Sequence, residues 1–353
     1  MTQSKPIVFS GIQPSGHLHL GNYLGAVRNW VAQQQQADNI FCVVDLHALT
    51  VYQNPEVLRA KIRETVGLLL ACGIDPAQSL LFVQSHVPAH TELAWVLNCV
   101  TPVGWLERMT QYKEKAAQQT SVSTGLLDYP VLQAADILLY QTHQVPVGED
   151  QRQHLELTRD IAGRFNHLYG ETFVLPDIRI PPVGARIMGL DDPTAKMSKS
   201  TQRPYHAVGL LDDADTIWAS IRRAVTDAGR EIRFSTEPAK AGVTNLLTIY
   251  QALSGQSQQQ IETHFAGKGY GELKRAVADL VIMTLGPIQT RYDALMHDRA
   301  ALDALLQKGA DTARQRAAVT LRTVKERVGL LALPCVEDQR PMLLPSSLGH
   351  RGS

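Results

Sequence analysis

Residues 9–23 read FSGIQPSGHLHLGNY and decide how the first part of the chain folds. The apolar run 7–9 enters this stretch as a buried strand, and residues 22–36 leave it with the pattern of a helix. Gly11 and Gly21 let the backbone approach a ligand where a Cβ would clash. Backbone N–H groups at the start of a helix attract anions. The stretch therefore predicts a phosphate site, but by itself it favours this site over an ordinary strand-to-helix turn only modestly.

A second stretch far along the chain carries two lysines around a serine. Residues 196–200 read KMSKS and follow Asp191-Asp192-Pro193. Alone, these five residues are compatible with a solvated basic loop, and together with the glycine-rich stretch they favour a loop that closes on a polyphosphate. Neither stretch has the GxGxxG or Walker spacing, so those two common phosphate motifs do not apply.

Composition narrows the class of protein. The chain has 353 residues, with 34 basic and 34 acidic side chains, so it is not a general binder of polyanions. An apolar content of 44% and a charged content of 19% are typical of a soluble globular protein, here long enough for two domains. We find no apolar stretch that could cross a bilayer and no signal-peptide pattern, so we expect a cytoplasmic protein. The four cysteines are scattered without CxxC pairs, which argues against a structural zinc site.

The order of predicted elements indicates an α/β fold. Buried strands are predicted at 40–44 and 80–83, and between them a helix starts at Asn54-Pro55-Glu56 and stops at Gly73. This alternation predicts a parallel sheet with helices on both faces. Ligands of such sheets bind at the carboxyl ends of the strands, where His47 falls. His47 is thus a candidate substrate contact, with an ordinary hydrogen-bonded loop residue as the alternative.

Asp136 lies inside the otherwise apolar helical run 131–139. A buried carboxylate needs a partner. The partner is either a nearby arginine, which would make Asp136 structural support, or a donor on the ligand. An indole offers one N–H donor and no acceptor, which suits a lone carboxylate in an apolar slot. A phenol could use the same group, so this residue alone leaves tryptophan and tyrosine open.

The rest of the chain is mainly helical. Residues 104–117 are predicted to form one helix, and the residues after 210 a smaller helical domain. The last helix is predicted at 310–328, with a basic face that is either solvated surface or a contact for a nucleic-acid backbone.

Several motifs carry a resemblance to a known family. HLGN at 19–22 and KMSKS at 196–200 resemble the two signature motifs of class I aminoacyl-tRNA synthetases, the first with Asn in place of the second His. Further motifs are similar to those of bacterial tryptophanyl-tRNA synthetases: GIQPSG at 11–16, ERMTQYK at 107–113, AADIL at 134–138 and VGEDQ at 147–151. The resemblance runs from about residue 7 to about residue 329.

The resemblance implies a fold and an activity. It implies a Rossmann-like catalytic domain at 1–189, the lysine loop at 190–200, a helical anticodon-binding domain at 201–294, returning helices at 295–330 and a poorly ordered tail at 331–353. The implied activity is that of a tryptophan–tRNA ligase. L-Tryptophan reacts with ATP to give tryptophanyl-AMP and pyrophosphate, and the tryptophanyl group then passes to tRNA(Trp). Mg²⁺ with the ATP phosphates, a homodimer and the absence of a structural metal are implied as well.

The resemblance also implies site residues. The implied catalytic residues are His19, Lys115, Lys196 and Lys199. The implied ATP-binding residues are Gln13, Pro14, Ser15, Gly21, Asn22, Gly148, Glu149, Asp150, Ile187, Lys196, Met197, Ser198, Lys199 and Ser200. The implied tryptophan-binding residues are Phe9, Gly11, His47, Tyr129, Gln133, Asp136, Val145, Val147 and Gln151, with Asp136 accepting the indole N–H. Gln133 departs from the family, which commonly has Met at this position.

Three other functions remain open on the sequence. A tyrosine-specific ligase shares the architecture and could share the carboxylate. A small-molecule nucleotidyltransferase can carry a similar glycine loop, although it needs no helical tRNA-reading domain. A catalytically retired paralogue that senses tryptophan would have damaged lysines, and Lys196 and Lys199 are intact.

Overall fold

The computed structural model of the chain describes residues 5–117, 121–179, 186–198 and 203–331. Lys199, Ser200 and nearly all of the predicted tail lie outside these residues.

A five-stranded parallel sheet forms the centre of the fold. Its strands are β1 (Ile7–Ile12), β2 (Asp38–Val43), β3 (Leu80–Val83), β4 (Gln144–Pro146) and β5 (Asp177–Arg179). Their order is β3-β2-β1-β4-β5, and every neighbouring pair is parallel. The direction of the chain across the sheet reverses between β1 and β4. A parallel sheet opens a crevice at the carboxyl ends of the strands on either side of such a reversal.

Helices cover both faces of this sheet and continue beyond it. The α-helices are Leu20–Asn22, Arg28–Gln33, Asp45–Ala48, Pro55–Ala71, Ala89–Asn98, Val103–Glu107, Thr110–Ala116, Thr124–Leu138, Arg152–Tyr169, Ala214–Arg222, Ala241–Ser254, Gln258–Phe265, Tyr270–His297 and Arg299–Arg327. Residues Tyr23–Val27 form a π-helical turn, and Gln84–His86, Glu149–Gln151 and Pro238–Lys240 form 3₁₀ turns. The predicted fold class is confirmed.

The predicted start and end of the helix Pro55–Ala71 are confirmed. The Asn54 side chain accepts hydrogen bonds from the backbone N–H groups of Glu56 and Val57. These are two of the donors that a helix leaves unpaired at its start. Gly73 ends the helix with φ +112°, a conformation that a side chain would strain.

Two predicted helix bounds are wrong. Residues 104–117 form two helices, because Met109 is buried and takes an extended backbone conformation that interrupts the helical run. The last helix begins at Arg299 instead of 310. Its start is capped by Asp298, whose side chain accepts from the backbone N–H of Ala301.

The last helix lies against the sheet. A Cβ on Gly309 would come within 2.0 Å of the carbonyl oxygen of Leu81 in β3, so only glycine permits this approach. Arg316 pairs with Asp38 at 2.6 Å and Lys325 with Glu92 at 2.5 Å. These basic residues therefore attach the helix to the body of the protein. No helix in the described part of the chain is long and apolar enough to span a membrane.

Candidate active site

A cavity of about 330 Å³ lies at the point where the sheet reverses direction. It opens at the carboxyl ends of β1 and β4. Its walls are Phe9, Ser10, Gly11, Gln13, Trp30, Val44, His47, Thr50, Gln111, Lys115, Tyr129, Gln133, Asp136, Ile137, Val145, Pro146, Val147 and Gln151. All residues predicted for tryptophan binding are among them, and Lys115 and Gln13 are as well.

Asp136 sits in the wall of this cavity and is 1% exposed. Its Oδ1 lies 2.6 Å from Nδ1 of His90 and 2.7 Å from Nε2 of Gln84. Its Oδ2 lies 2.9 Å from Nε2 of His47 and 2.8 Å from the same Gln84 nitrogen. The protein partners of the carboxylate are therefore two histidines and an amide, and not the arginine of the structural alternative.

This network sets the charge state of Asp136. Burial alone would raise the pKa of the carboxyl, but hydrogen bonds from His47 and His90 outweigh burial and lower the pKa to about 2. Asp136 is therefore an anion at neutral pH. The sequence did not reveal His90, which lies on the apolar face of the Ala89–Asn98 helix like an ordinary core residue.

A second polar cluster lies around Tyr129. Its hydroxyl lies 2.7 Å from Nε2 of His154 and 3.2 Å from Oε1 of Gln111. Burial raises the pKa of Tyr129 to about 12 and, with a smaller contribution from Lys115, lowers that of His154 to about 4. Lys115 holds its ammonium 5.0 Å from the centre of the Tyr129 ring, and burial lowers its pKa. Lys115 thus reaches the rim of the cavity from the Thr110–Ala116 helix.

Gln133 follows Tyr129 by one helical turn and lies three residues before Asp136, so the three side chains form one stripe of the Thr124–Leu138 helix. Gln133 is half-buried. Its amide has no hydrogen-bond partner among the described residues. Gln133 is one of the residues that line the cavity.

The glycine-rich stretch contacts both the lysine loop and the segment that follows this loop. The backbone N–H of Leu20 donates to Val208 and that of Leu210 donates to Leu18, so these segments pair along their backbones. A Cβ on Gly21 would lie 3.4 Å from Cβ of Met197. The two motifs predicted to act together are thus in contact.

His19 and Asn22 are engaged with each other at this contact. The His19 Nδ1 accepts from the backbone N–H of Asn22, and Asn22 Oδ1 accepts from the backbone N–H of His19. This reciprocal cap fixes the orientation of the imidazole. His17, by contrast, is exposed and pairs with Lys61 and Glu64.

A hairpin carries Lys196. The backbone N–H of Met197 donates to Ile187 and that of Gly189 to Ala195. Ile187, predicted to flank adenine, is buried in the core. Pro14 and Met197 are buried too, and Ser15 is half-buried.

The segment 148–150 lies exposed at the start of the Arg152–Tyr169 helix. A Cβ on Gly148 would meet the Asp150 carboxylate at 2.8 Å, so the absence of a side chain there leaves room for that carboxylate. Glu149 pairs with Arg152 at 2.5 Å. The segment lies next to Val147 and Gln151, two residues of the cavity wall.

Comparison with known proteins identifies the family. The family described as "tRNA synthetases class I (W and Y)" matches residues 1–286. The chain is 55% identical over 328 residues to a tryptophan–tRNA ligase of Wolinella succinogenes, which covers 93% of this chain and 99% of that protein. The chain belongs to this family of class I synthetases.

Solved structures agree with this assignment. A tryptophanyl-tRNA synthetase from Mycoplasma pneumoniae matches with a TM-score of 0.85 and 38% identity, covering 93% of this chain and 98% of that chain. One from Campylobacter jejuni, solved with ADP and tryptophan, matches with a TM-score of 0.81 and 36% identity, covering 92% and 100%. The predicted family is confirmed.

The synthetase places further residues in its cavity that sequence reasoning did not single out. Gln111 falls inside the motif 107–113, so a closer reading of that motif could have found it. Trp30 and Thr50 come from segments with no polar or motif signal, and only the tertiary fold brings them to the cavity.

The described residues of the synthetase contain no group of three or more His, Cys, Asp or Glu side chains that could hold a metal ion. Next to the cavity-wall residue Gln151 in the chain, Glu149 is engaged with Arg152 and Asp150 with Gln151.

Proposed function

We propose that this synthetase is a tryptophan–tRNA ligase that forms tryptophanyl-AMP from L-tryptophan and ATP and then transfers the tryptophanyl group to tRNA(Trp). The observation that carries the proposal is the 55% identity to a tryptophan–tRNA ligase along 99% of that relative's length. The activity predicted from the sequence is confirmed at this level. The family description covers both tryptophan and tyrosine, and this relative favours tryptophan.

The cavity at the reversal of the sheet holds tryptophan in this proposal. Phe9, Val145 and Val147 supply apolar walls, and a cavity of this size suits an indole. Asp136 stands at the wall as a fixed anion and accepts the indole N–H. Gln151 lies near the amino or carboxylate group of the substrate.

ATP lies across the glycine-rich stretch and the lysine hairpin. Gln13, Pro14, Ser15, Gly21 and Asn22 approach it from the first motif. His19 supports the phosphates from the same stretch. Gly148, Glu149 and Asp150 face the ribose, and Ile187 with residues 196–200 completes the site. The contact between Gly21 and Met197 supports this arrangement because it brings the glycine-rich stretch and the lysine loop together.

In the first step a carboxylate oxygen of tryptophan attacks the α-phosphorus of ATP. The bond from this phosphorus to the bridging oxygen breaks, and pyrophosphate leaves with the electron pair. The attacking carboxylate is already ionised at neutral pH, so the step needs no general base. It needs alignment and neutralisation of the charge that develops on the leaving group. Lys196 and Lys199 supply that neutralisation, and Lys115 assists from the cavity rim.

Mg²⁺ enters with the ATP phosphates in this proposal. Mg²⁺ prefers phosphate and water oxygens with one or two carboxylates, which fits a site without a dedicated cage of protein ligands. We also propose a homodimer, a cytoplasmic location and recognition of the tRNA anticodon by the helical domain at 201–294.

The test is tryptophan-dependent exchange of labelled pyrophosphate into ATP, with tyrosine and phenylalanine measured in parallel, followed by charging of tRNA(Trp). We expect exchange with tryptophan alone. Exchange with tyrosine instead would replace the proposal by a tyrosine ligase. Tryptophan binding without any exchange would favour a tryptophan sensor.

A further inference from the structure

His206 is a buried imidazole that the proposed mechanism does not use. It is 1% exposed and comes from the segment that follows the lysine loop. Buried polar side chains are costly unless their hydrogen bonds are made, so the contacts of this ring indicate what it is for.

The ring of His206 connects the turn and the second strand of the lysine hairpin. Its Nδ1 lies 2.5 Å from a carboxylate oxygen of Asp191, at the turn. Its Nε2 lies 3.4 Å from the backbone carbonyl oxygen of Lys196, in the second strand. Its own backbone carbonyl accepts from the N–H of Leu190 at 3.0 Å. The residue therefore touches the hairpin at three points.

The hairpin is shaped to receive this ring. A Cβ on Gly189 would lie 2.3 Å from Cε1 of His206, so any side chain at 189 would displace the imidazole. Asp191 also lies 3.9 Å from the Arg203 guanidinium, which faces Asp192 at 3.4 Å. The Asp191 carboxylate, which orients the ring, thus has an ionic partner of its own in Arg203.

Chemistry assigns each ring atom a role. A carbonyl oxygen only accepts, so the contact with Lys196 is a hydrogen bond when Nε2 carries the hydrogen. The carboxylate of Asp191 also only accepts, so the ring donates to both partners in its imidazolium form, in which both nitrogens carry a hydrogen, and the contact with Asp191 fixes the plane of the ring. An oriented imidazole that donates to the backbone carbonyl of Lys196 constrains the backbone of Lys196. It thereby limits the positions that the Lys196 side chain can reach.

A second polar side chain holds the other strand of the hairpin. Asn245, in the Ala241–Ser254 helix, accepts from the N–H of Met188 and donates to its carbonyl, both at 2.9 Å. Met188 pairs with Lys196 across the hairpin. Lys196 is therefore fixed from both sides, directly by His206 and through Met188 by Asn245.

We propose that His206 is a positioning residue for adenylate formation, which acts by holding the backbone of Lys196 so that its ammonium meets the departing pyrophosphate. This inference rests on the proposed role of Lys196. Misplacement of a catalytic group by about 1 Å can cost on the order of 100-fold in rate.

Two substitutions separate the two ring contacts. In His206→Gln the amide nitrogen lies near the position of Nε2 and keeps a donor for the Lys196 carbonyl. In His206→Asn the shorter amide reaches Asp191 and not Lys196. His206→Leu removes both contacts. We expect the Asn and Leu variants to slow single-turnover adenylate formation by on the order of 10-fold, with the KM for tryptophan unchanged, and the Gln variant to keep most of the rate.

A double-mutant cycle with Lys196→Ala tests whether His206 acts through Lys196. We expect His206→Leu to cause no further loss of rate in the Lys196→Ala background. Asn166→Leu, at the far end of the Arg152–Tyr169 helix, is the control for general destabilisation: it should lower the thermal midpoint without changing the rate of the folded enzyme.

The outcomes are distinguishable. Additive losses in the cycle, or equal rates for the Gln and Asn variants, would overturn the positioning role of His206 while leaving the proposed function intact. A wild-type rate for Lys196→Ala would overturn the proposed role of Lys196 and the inference with it.

Discussion

The two halves of the site differ in how their polar groups find partners. In the tryptophan half, Asp136 receives hydrogen bonds from Gln84, His47 and His90, all supplied by the protein. In the ATP half, Glu149 and Asp150 are exposed, and Lys196 is placed by its backbone. In the proposed tryptophan half these polar groups are therefore already paired within the protein, whereas the proposed ATP half keeps Glu149 and Asp150 at the surface. Preorganisation of this kind favours selectivity in the proposed tryptophan half.

The largest expected effect is in the ATP half. Lys196→Ala should slow adenylate formation by on the order of 100- to 1,000-fold, because it removes a charge that stabilises the leaving pyrophosphate. Lys199→Ala carries the same expectation. Tryptophan affinity, measured by equilibrium dialysis, should hardly change. Lys113→Ala, an exposed lysine on the Thr110–Ala116 helix, is the control. Equal losses in rate and in affinity would remove the distinction between the halves.

The next effect is in the tryptophan half. Asp136→Asn replaces an acceptor by a donor that faces the donors of Gln84 and His90, so we expect a loss of about 3 kcal/mol in the free energy of unfolding. Discrimination between tryptophan and phenylalanine in pyrophosphate exchange should also fall. Asp128→Asn, which changes a half-buried carboxylate bonded to Asn98, is the matched control on the same helix. Wild-type selectivity in Asp136→Asn would show that this carboxylate does not contact the indole.

A third prediction concerns pH. The pKa of His154 is about 4 in the folded chain, against 6.5 for an ordinary histidine, because burial disfavours its charged form. Between these values only the unfolded chain binds the proton. Stability is therefore fully present above about pH 6.5 and falls as the pH drops toward about 4, by about 2 kcal/mol between pH 7 and pH 5.

Urea unfolding at several pH values measures this slope. His154→Gln keeps an acceptor near the Tyr129 hydroxyl but cannot titrate in this range, so it should flatten the curve. His167→Gln, which changes an exposed histidine of the same helix, should leave the slope as it is. A parallel slope in both variants would place the titrating group elsewhere.

The smallest expected effect is at Gln133. Its side chain lines the cavity, and its amide has no partner among the described residues, so Gln133→Met should change the transition-state energy for tryptophan, obtained from kcat/KM, by less than about 1 kcal/mol. Steady-state exchange kinetics measure this change. A larger loss would mean that the amide binds the substrate directly and that the tryptophan half contains a second polar contact.

The residues that the family resemblance names for tryptophan binding line one cavity in the structure. Asp136 stands out because a carboxylate interrupts an apolar helical run. Its partners were harder to find. Gln84 and His90 lie on other elements, and tertiary packing alone brings them to Asp136.

The sequence reveals the two motifs of the proposed ATP half but not how they are arranged in space. The backbone pairing of Leu18 and Leu20 with Val208 and Leu210 joins segments about 190 residues apart. No local sequence pattern predicts this pairing. The break at Met109 was missed for the related reason that burial of one side chain overrode the helical preference of its neighbours.

The long final helix has a consequence for how the chain is made. Ala313, Ala317, Leu321 and Val324 are buried in the same cluster as Phe82 of β3, and Gly309 lies against the Leu81 carbonyl. A ribosome that adds about 5 to 20 residues per second needs roughly 10 to 50 s to travel from β3 to this helix. Throughout that interval the part of the sheet that this helix covers stays exposed, so the nascent chain carries apolar surface that it buries only when the last helix arrives.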